Sequence, residues 1–407
     1  MKKKLNFKKV ALAASLPAVL LLSACSGSTA PSEEAAGGDP YVIGVMTDLS
    51  GPYSDFSNAW MAGLRSSINA VNEAGGVHGK QIELMERDNA SDLQRATTNF
   101  REIANSDALA NHGNNLSNII AALAPQADTV KIPMVNQTDV PQIMTPTPPE
   151  YVFSSEVPVT IWADLELAFA AELFEERGID DPKIAIYTIE TASADPYREA
   201  VIEGAEARGW TVVASESAAQ TATDVTQQAR AVVAAEPDAV VTYVVNITQA
   251  ITAMNAQGLP TTVPIITQKQ SGNNTNFEAI DQIGQEFYSL RSYVAPYLTD
   301  NPSVAQMQED MKAAGQWKDE LAGNEWVSHG YVEGLLIAQV LEDCGVDCTR
   351  DGYRDALANM KSLDTRGLTG VYGNSGDHRL VKEGQVYQWD PATSVPQPLD
   401  GNWITSS

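Results

Sequence analysis

The amino-acid sequence predicts an α/β protein made of two doubly wound lobes, each a parallel sheet with helices on both faces. Short apolar, β-branched runs alternate with helical segments along the chain, which is typical of parallel sheets. The alternation restarts after a proline-rich stretch from Pro141 to Pro149, and this stretch separates the two units. The chain of 407 residues is also long enough for two domains of ordinary size.

The N-terminal segment has the features of a secretory signal peptide. Lysines crowd the first nine residues, and the apolar run that follows, from Val10 to Leu22, is shorter than the roughly 20 residues of a membrane-spanning helix. The sequence Leu-Ser-Ala-Cys at 22–25 resembles the lipobox of bacterial lipoproteins; the alternative is an ordinary signal peptide with a chance cysteine. We therefore predict a signal peptide at 1–24, lipidation of Cys25 and a flexible, polar tether at 25–39.

The first unit begins with the apolar run after the tether. Strands are predicted at 41–46, 81–85, 107–112 and 132–135, and helices at 58–74, from 91 onwards and at 117–130. The second of these helices starts at Ser91-Asp-Leu-Gln94, which has the spacing of a capping box. Because ligands bind beyond the carboxyl ends of parallel strands, the turns after Met46, His112 and Val135 are the expected ligand-binding positions.

The second unit follows a segment at 151–155 that is predicted to cross between the units. Its strands are predicted at 183–188, 211–214, 239–245 and 263–266, and its helices at 162–177, 197–208, 225–235 and 248–257. The remaining chain is predicted to form helices near 303–314, 326–341 and 349–361, and strand-like segments at 386–389 and at Ile404.

Composition and motifs exclude several classes of function. The formal net charge is −26, and loss of the leader lysines would make the chain more acidic, which argues against nucleic-acid binding. The sequence has no Gly-x-Ser-x-Gly elbow, no His-Glu-x-x-His motif and no P-loop, so neither catalytic residues nor a cofactor are expected. The histidines lie far apart, so no metal site is expected. Cys344 and Cys348 are predicted to form a local disulfide, as suits an exported protein.

Several motifs, taken in order, resemble those of the leucine/isoleucine/valine-binding proteins. They are Gly-Val-Met-Thr-Asp-Leu-Ser-Gly-Pro at 44–52, the segment 70–80 with its Gly-Gly-x-x-Gly-Lys element, 121–125 followed by Ile-Pro-Met-Val at 132–135, 203–209, and Leu-Thr-Gly at 368–370 with Gly-Asp-His-Arg at 376–379. The resemblance runs from about Pro40 to the C-terminus.

This resemblance implies a type I periplasmic binding protein, with a ligand cleft between two lobes that hinge shut. Three segments would cross between the lobes, near 154–157, 294–296 and 368–372. Lobe 1 would then comprise 40–155 plus 296–368, and lobe 2 would comprise 156–295 plus 369–407.

The resemblance also implies a set of ligand-binding residues in the first lobe. Phe56 would line the cleft, and Ser117, with Asn115 beside it, would bind the carboxylate of the ligand at a helix N-terminus, where free backbone N–H groups suit an anion. The alternative is that Ser117 only caps this helix. Thr138 would add a hydroxyl, whereas Val140 stands where the family has a threonine.

In the second lobe, the sequence departs from the family at two ligand positions. The family's tyrosine position falls on Ser193, with Tyr197 close by, and the acid that pairs with the ligand's ammonium falls on Lys269. A lysine cannot accept hydrogen bonds from an ammonium, although it could bind a carboxylate; the alternative is a solvent-facing lysine in a shifted loop. Glu190 and Asp195 remain possible partners for an ammonium. The expected ligand is an amino acid or a related small carboxylate or amide.

Together these features predict a monomeric, extracytoplasmic, lipid-anchored protein that hands a small molecule to the membrane permease of an ABC importer. It is not expected to be an enzyme. The alternative is a lipoprotein of the same fold that senses its ligand and signals to a membrane receptor. Receptors of that kind usually carry a transmembrane helix after the sensor domain, and none is predicted before Ser407.

Overall fold

The structure, a computed structural model, describes residues 38–191, 193–219, 221–244 and 246–405. These residues belong to one compact unit, 37–407. The predicted signal peptide, Cys25 and the tether up to residue 37 lie outside the described residues. In the described part, no helix combines the length and the apolar character that crossing a membrane requires.

The strands of the described part form two sheets. They are β1 (Tyr41–Thr47), β2 (Ile82–Asp88), β3 (Asn111–Asn114), β4 (Met134–Asn136), β5 (Val152–Ser154), β6 (Lys183–Ile189), β7 (Thr211–Ala218), β8 (Ala239–Tyr243), β9 (Ile265–Gln268), β10 (Phe287–Arg291), β11 (Glu383–Asp390), β12 (Val395–Pro398) and β13 (Ile404–Thr405).

The α-helices of the same part connect and cover these strands. They are α1 (Ser54–Glu73), α2 (Leu93–Ala104), α3 (Ser117–Val130), α4 (Pro141–Met144), α5 (Val159–Arg177), α6 (Ala194–Ala207), α7 (Thr226–Ala234), α8 (Ile247–Ala256), α9 (Asn274–Ile283), α10 (Pro302–Ala313), α11 (Trp326–Cys344) and α12 (Arg350–Asn359).

The first lobe is a five-stranded parallel sheet in the order β2-β1-β3-β4-β5, with helices on both faces. Successive side chains of β1 point to opposite faces: Val45 packs in the same core cluster as residues of α1 and α11, and Met46 packs with residues of α2 and α3. The helices α1 and α11 approach so closely that a Cβ atom on Gly63 or Gly330 would overlap the backbone of the other helix.

The second lobe repeats the first, with parallel strands in the order β7-β6-β8-β9-β10. The helices α5 and α6 cover one face, and α7, α8 and α9 cover the other. The antiparallel strands β11 and β12 extend the sheet beyond β10, and β13 pairs with β11. The predicted architecture of two doubly wound lobes is therefore confirmed.

The chain crosses between the lobes three times. It leaves the first sheet after β5, returns from β10 to α10, which packs on α1, and crosses again between α12 and β11. The crossing segments touch one another: the Val294 N–H donates to the Leu368 carbonyl at 2.8 Å, and the Tyr293 hydroxyl donates to the Ser155 carbonyl at 2.6 Å. These contacts form one hydrogen-bonded bundle between the lobes.

Some elements differ from the sequence prediction for physical reasons. The third strand lies at Asn111–Asn114 and is built of buried polar residues and a glycine, which no apolar pattern indicates. The strand β10 and the helix α9 were not predicted; β10 ends at Arg291, a fully buried cation that interrupts the apolar pattern. The predicted capping box is wrong in its cap residue, since Asp92, and not Ser91, accepts from the Arg95 N–H at 2.6 Å.

The first lobe carries a disulfide between Cys344, the last residue of α11, and Cys348. It closes the short turn that leads to α12. This turn lies against the start of β1, where the Tyr41 hydroxyl donates to the Val346 carbonyl at 3.0 Å.

Candidate ligand-binding site

A cleft of about 150 Å³ opens where the carboxyl ends of the two parallel sheets meet. Among the described residues, each lobe contributes seven to its lining, and most of these lie at the end of a strand or within three residues after it. The first lobe supplies Tyr53, Phe56, Asn115, Leu116, Ser117, Thr138 and Trp326; the second supplies Ile189, Thr191, Ser193, Tyr243, Val244, Gln268 and Gln270. This is the position at which parallel α/β sheets bind ligands.

The four ligand-binding residues predicted in the first lobe all lie in the cleft lining. The Asn115 side-chain amide donates to the Ser57 hydroxyl at 2.8 Å, and the Thr138 hydroxyl donates to the Asn115 carbonyl at 3.1 Å. These bonds fix the loops after β3 and β4 relative to α1. The ring of Phe56 lies 5.9 Å from the ring of Trp326, so the same wall also has an aromatic surface.

The N-terminus of α3 opens into this wall without a side-chain cap. Leu116 occupies the cap position and makes no side-chain cap bond, whereas Ser117 is the first helical residue. The alternative that Ser117 only caps the helix is therefore wrong. The first backbone N–H groups of a helix have no partner within the helix, and both Leu116 and Ser117 line the cleft. An anion in the cleft would find these N–H groups and the Ser117 hydroxyl together.

In the second lobe, Ser193 lines the cleft and hydrogen-bonds to Tyr243. Burial raises the pKa of Tyr243 to about 12, so its hydroxyl stays protonated and remains a neutral hydrogen-bonding group. Tyr197 is fully buried beneath this pair, where its hydroxyl donates to the carboxyl of Glu166. Tyr243 therefore provides the aromatic side chain in the second lobe; its position at the end of β8 was the available sequence signal.

The last residue of β9 and the residues after it turn their side chains alternately towards and away from the cleft. Gln268 and Gln270 line the cleft, whereas the side chain of Lys269 is fully buried behind it. The Lys269 ammonium pairs with the Glu156 carboxylate and lies 3.8 Å from the centroid of the Trp326 ring. Of the six predicted ligand-binding residues, Lys269 is thus the one that the structure does not place in the lining. The alternative of a solvent-facing lysine is wrong.

Lys269 belongs to a buried set of ionisable side chains that we call the interlobe charge cluster: Glu156, Lys269, His329, Glu333 and His112. They form a continuous series of contacts. The Glu156 carboxylate lies 3.6 Å from His329 Nδ1, Glu333 lies 3.8 Å from His329 Nε2, and Glu333 contacts His112 Nδ1 at 2.6 Å. The series connects the first crossing segment with both lobes.

Glu156 is also tied to the second crossing segment. Its carboxylate accepts from the Ser292 hydroxyl and from the Val157 N–H, both at 2.8 Å. The third crossing segment joins through Thr369, whose hydroxyl donates to the Ser292 carbonyl at 2.6 Å. The carboxylate of Glu156 is therefore bonded, directly or through one residue, to all three crossing segments.

Burial controls protonation around this cluster. Burial, reinforced by the Lys269 ammonium, holds the pKa of His329 well below its ordinary value, so its imidazole is neutral near pH 7. Burial also raises the pKa of the Glu325 carboxyl to about 7, although Lys269 and Arg291 oppose the shift. Neither of these two groups lines the cleft.

The remaining sequence candidates lie outside the cleft lining. Glu190 and Asp195 line a neighbouring surface pocket, where Asp195 pairs with Arg198. Val140 is buried in the apolar core of the first lobe, so a threonine hydroxyl at this position would point into apolar packing. Within the part of the chain that the structure describes, no group of three or more His, Cys, Asp or Glu side chains could hold a metal ion.

The sequence of the chain matches a known protein family. The sequence model of a family described as periplasmic binding protein matches residues 40–394, most of the chain. The chain belongs to this family. Proteins of this family are extracytoplasmic, and those in ABC transporters bind small molecules and deliver them to a permease. No curated protein sequence matches the chain significantly.

Solved structures of ABC-transporter binding proteins share the fold. A branched-chain amino acid protein from Thermus thermophilus with bound valine is 14% identical, with a TM-score of 0.77, covering 91% of this chain and 97% of that one. A fatty acid substrate-binding protein from Thermomonospora curvata is 18% identical, with a TM-score of 0.75, covering 91% and 93%. A solute-binding protein from R. palustris in complex with 4-hydroxybenzoate is 17% identical, with a TM-score of 0.75, covering 90% and 98%. The chain is thus similar in fold to proteins of differing cargo.

Proposed function

We propose that this protein is the substrate-binding component of an ABC importer and captures a small carboxylate or amide, an amino acid or a related molecule, by closing its lobes. The observation that carries the proposal is the cleft, which takes half of its lining from each lobe. A ligand that contacts both walls binds the closed arrangement more tightly than the open one, and so shifts the population towards closure.

The uncapped N-terminus of α3 is the proposed site for the carboxylate or amide oxygen. Ser117 offers its hydroxyl, and the backbone N–H groups of the first turn offer further donors beside the partial positive charge of the helix end. The aromatic rings of Phe56, Trp326 and Tyr243 then form an apolar surface for the body of the ligand. The bound molecules named for the solved valine and 4-hydroxybenzoate complexes both carry a carboxylate, which supports this assignment.

The bundle of three crossing segments is the proposed hinge. We assign 40–155 plus 296–368 to lobe 1 and 156–295 plus 369–407 to lobe 2. This division agrees with the packing of α10 and α11 on α1 and with the pairing of β11 on β10. Closure would rotate the lobes about the bundle while its hydrogen bonds hold the segments together.

Delivery needs the protein to stay near its permease. We propose that Cys25 carries the lipid anchor, that 25–39 is the tether, and that the anchored protein acts as a monomer without catalytic activity or cofactor. Radiolabelled palmitate should be incorporated into the wild type and not into Cys25→Ser, which should leave the membrane fraction. Equal labelling of both proteins would remove the anchor from the proposal.

The binding function is tested by a thermal-shift screen of the mature chain against amino acids, amides and carboxylates. A true ligand at 100 times its Kd should raise the free energy of unfolding by about 3 kcal/mol. Ligand uptake should then fall in cells that lack the protein. A ligand that binds but whose uptake is unchanged would favour a sensor over an importer, and a screen without any small-molecule ligand would contradict both.

A further inference from the structure

The cleft wall contains hydrogen-bonding groups but no charged side chain among the described residues. The internal positions outside that part, 192, 220 and 245, are alanine, glutamine and valine and cannot add a charge. The end of β9 shows how this arises, because the amides of Gln268 and Gln270 face the cleft while Lys269 turns to Glu156. The second lobe therefore offers neutral amides where the resemblance predicted an acid.

Three atoms of lining residues are buried and lack a hydrogen-bond partner within the described structure: Gln270 Oε1, Asn115 Oδ1 and Thr191 Oγ1. Buried polar atoms are normally paired, so unpaired ones in a cleft indicate positions that a ligand completes. The two amide oxygens only accept hydrogen bonds, whereas the Thr191 hydroxyl can also donate to an anion. The amide oxygens therefore suit a neutral donor of the ligand, such as a hydroxyl or an amide N–H, and they supply no negative charge that would neutralise an ammonium.

An ammonium in this cleft would lose its hydration without gaining a carboxylate. Glu190 is exposed in the neighbouring pocket, where Asp195 already pairs with Arg198. Burying a charge without a counter-charge is costly. The ring of Trp326 does not replace the missing acid, because its face already holds the Lys269 ammonium, 3.8 Å from the ring centroid.

We infer that the cleft selects carboxylates with an apolar body and no ammonium, and that Gln270 is the specificity-determining residue. This inference rests on the proposed binding function and narrows it. We assign this role to Gln270 because its carboxamide has the shape of a glutamate side chain without the negative charge. Its oxygen also lines the second-lobe side of the cleft without a hydrogen-bond partner in the described structure. Gln268 Oε1, by contrast, already accepts from the Gln270 N–H at 2.8 Å.

Matched ligand pairs that differ only in the ammonium test the inference. Titration calorimetry on the mature chain should compare L-leucine with isocaproate and L-phenylalanine with hydrocinnamate. The acid without the ammonium should bind at least about 10-fold more tightly in whichever pair binds, which corresponds to about 1.4 kcal/mol. Equal or tighter binding of the amino acid would overturn the inference. If neither pair binds, a cleft ligand that carries an ammonium or lacks a carboxylate overturns the inference and leaves the binding function, whereas a carboxylate without an ammonium supports both. If nothing binds, the binding function itself fails.

A charge-creating substitution gives the second test. Gln270→Glu supplies the missing acid without changing side-chain shape, so the ratio of the two dissociation constants within a pair should move at least about 10-fold towards the amino acid. The control is Gln227→Glu, the same change on the exposed surface of α7 in the same lobe, which should leave the ratio unchanged. If Gln270→Glu is folded by circular dichroism and its ratio equals that of the wild type, Gln270 is not the specificity determinant.

Discussion

The wall of the cleft and the layer directly behind it are built on opposite principles. The wall combines aromatic rings with neutral amides and hydroxyls. The interlobe charge cluster behind it buries carboxylates, a lysine and histidines, and its Glu156 connects with all three crossing segments. The two regions meet at consecutive residues, because Gln270 belongs to the wall and Lys269 belongs to the cluster.

This difference indicates a division of labour. Charges in the cluster bond to one another, and the Lys269 ammonium also contacts the ring of Trp326. In the proposed function, the cleft recognises its ligand through hydrogen bonds and apolar contact, and the uncapped end of α3 is its main electrostatic feature. Substitutions in the cluster should therefore affect stability strongly, and a substitution in the wall should affect ligand affinity only.

Removal of the cluster's central carboxylate should have the largest effect. Glu156→Gln leaves the fully buried Lys269 without a counter-charge, which should lower the free energy of unfolding by about 3–5 kcal/mol in urea denaturation. The double variant Glu156→Gln with Lys269→Met should lose less than Glu156→Gln alone, since it buries no unpaired charge.

The control for this prediction is an ion pair on the surface. Asp195→Asn breaks the pair with Arg198, in which Asp195 is 71% exposed, and should change stability by less than about 1 kcal/mol. Similar losses from Glu156→Gln and Asp195→Asn would show that the cluster does not hold the lobes as described.

A pH effect should come from Glu325, next to the cluster. Because its pKa is about 7 in the folded protein and 4.5 in the reference state, the folded protein holds a proton between these pH values that the unfolded chain has released. Its contribution to stability therefore falls as pH rises through this window, by about 3 kcal/mol in total. Glu325→Gln should exceed the wild type in stability by about this amount near pH 8, and the difference should vanish near pH 4.

Glu320→Gln, an exposed glutamate in the 3-10 helix before α11, is the control and should leave the pH profile of unfolding unchanged. Urea denaturation at several pH values measures all three proteins. A Glu325→Gln protein with the same profile as the wild type would contradict the buried, protonated carboxyl.

The smallest effect is expected at the cleft wall. Ser117→Ala removes one hydroxyl and leaves the backbone N–H groups of α3, so affinity for a carboxylate should fall only about 10-fold, with unchanged stability. Ser303→Ala, in the first turn of α10, is the control, because the Asn301 side chain caps that helix and calorimetry should show no loss. A loss beyond about 1000-fold would mean that the hydroxyl, and not the helix end, holds the ligand.

The fold could be predicted from sequence because periodic apolar runs define buried strands and the faces of helices. The prediction of strands failed where the buried side chains are polar, as in the Asn-His-Gly-Asn strand β3. It also failed where a buried cation ends a strand, as Arg291 does in β10. In both places a contact with a residue distant in sequence reaches one buried polar side chain: His112 contacts Glu333, and Arg291 lies 4.5 Å from the ring centroid of Tyr387.

The site could be located only as far as strand ends could be recognised. Ser117 and Thr138 follow β3 and β4, and counting along the resemblance led to them. The same counting led to Lys269, whose side chain does not line the cleft. The count alone could not show this, because the direction of each side chain depends on the short 3-10 helix that starts at Lys269. Trp326 reaches the cleft from α11, far along the chain, and no local pattern distinguishes it from a core tryptophan.

The most direct test of the account is a crystal structure of the protein with the tightest ligand from the thermal-shift screen. The account predicts closed lobes, an anionic or neutral oxygen of the ligand at the Ser117 end of α3, and no acidic side chain in contact with the ligand. A ligand bound outside the cleft, or a ligand ammonium paired with a carboxylate side chain, would contradict it.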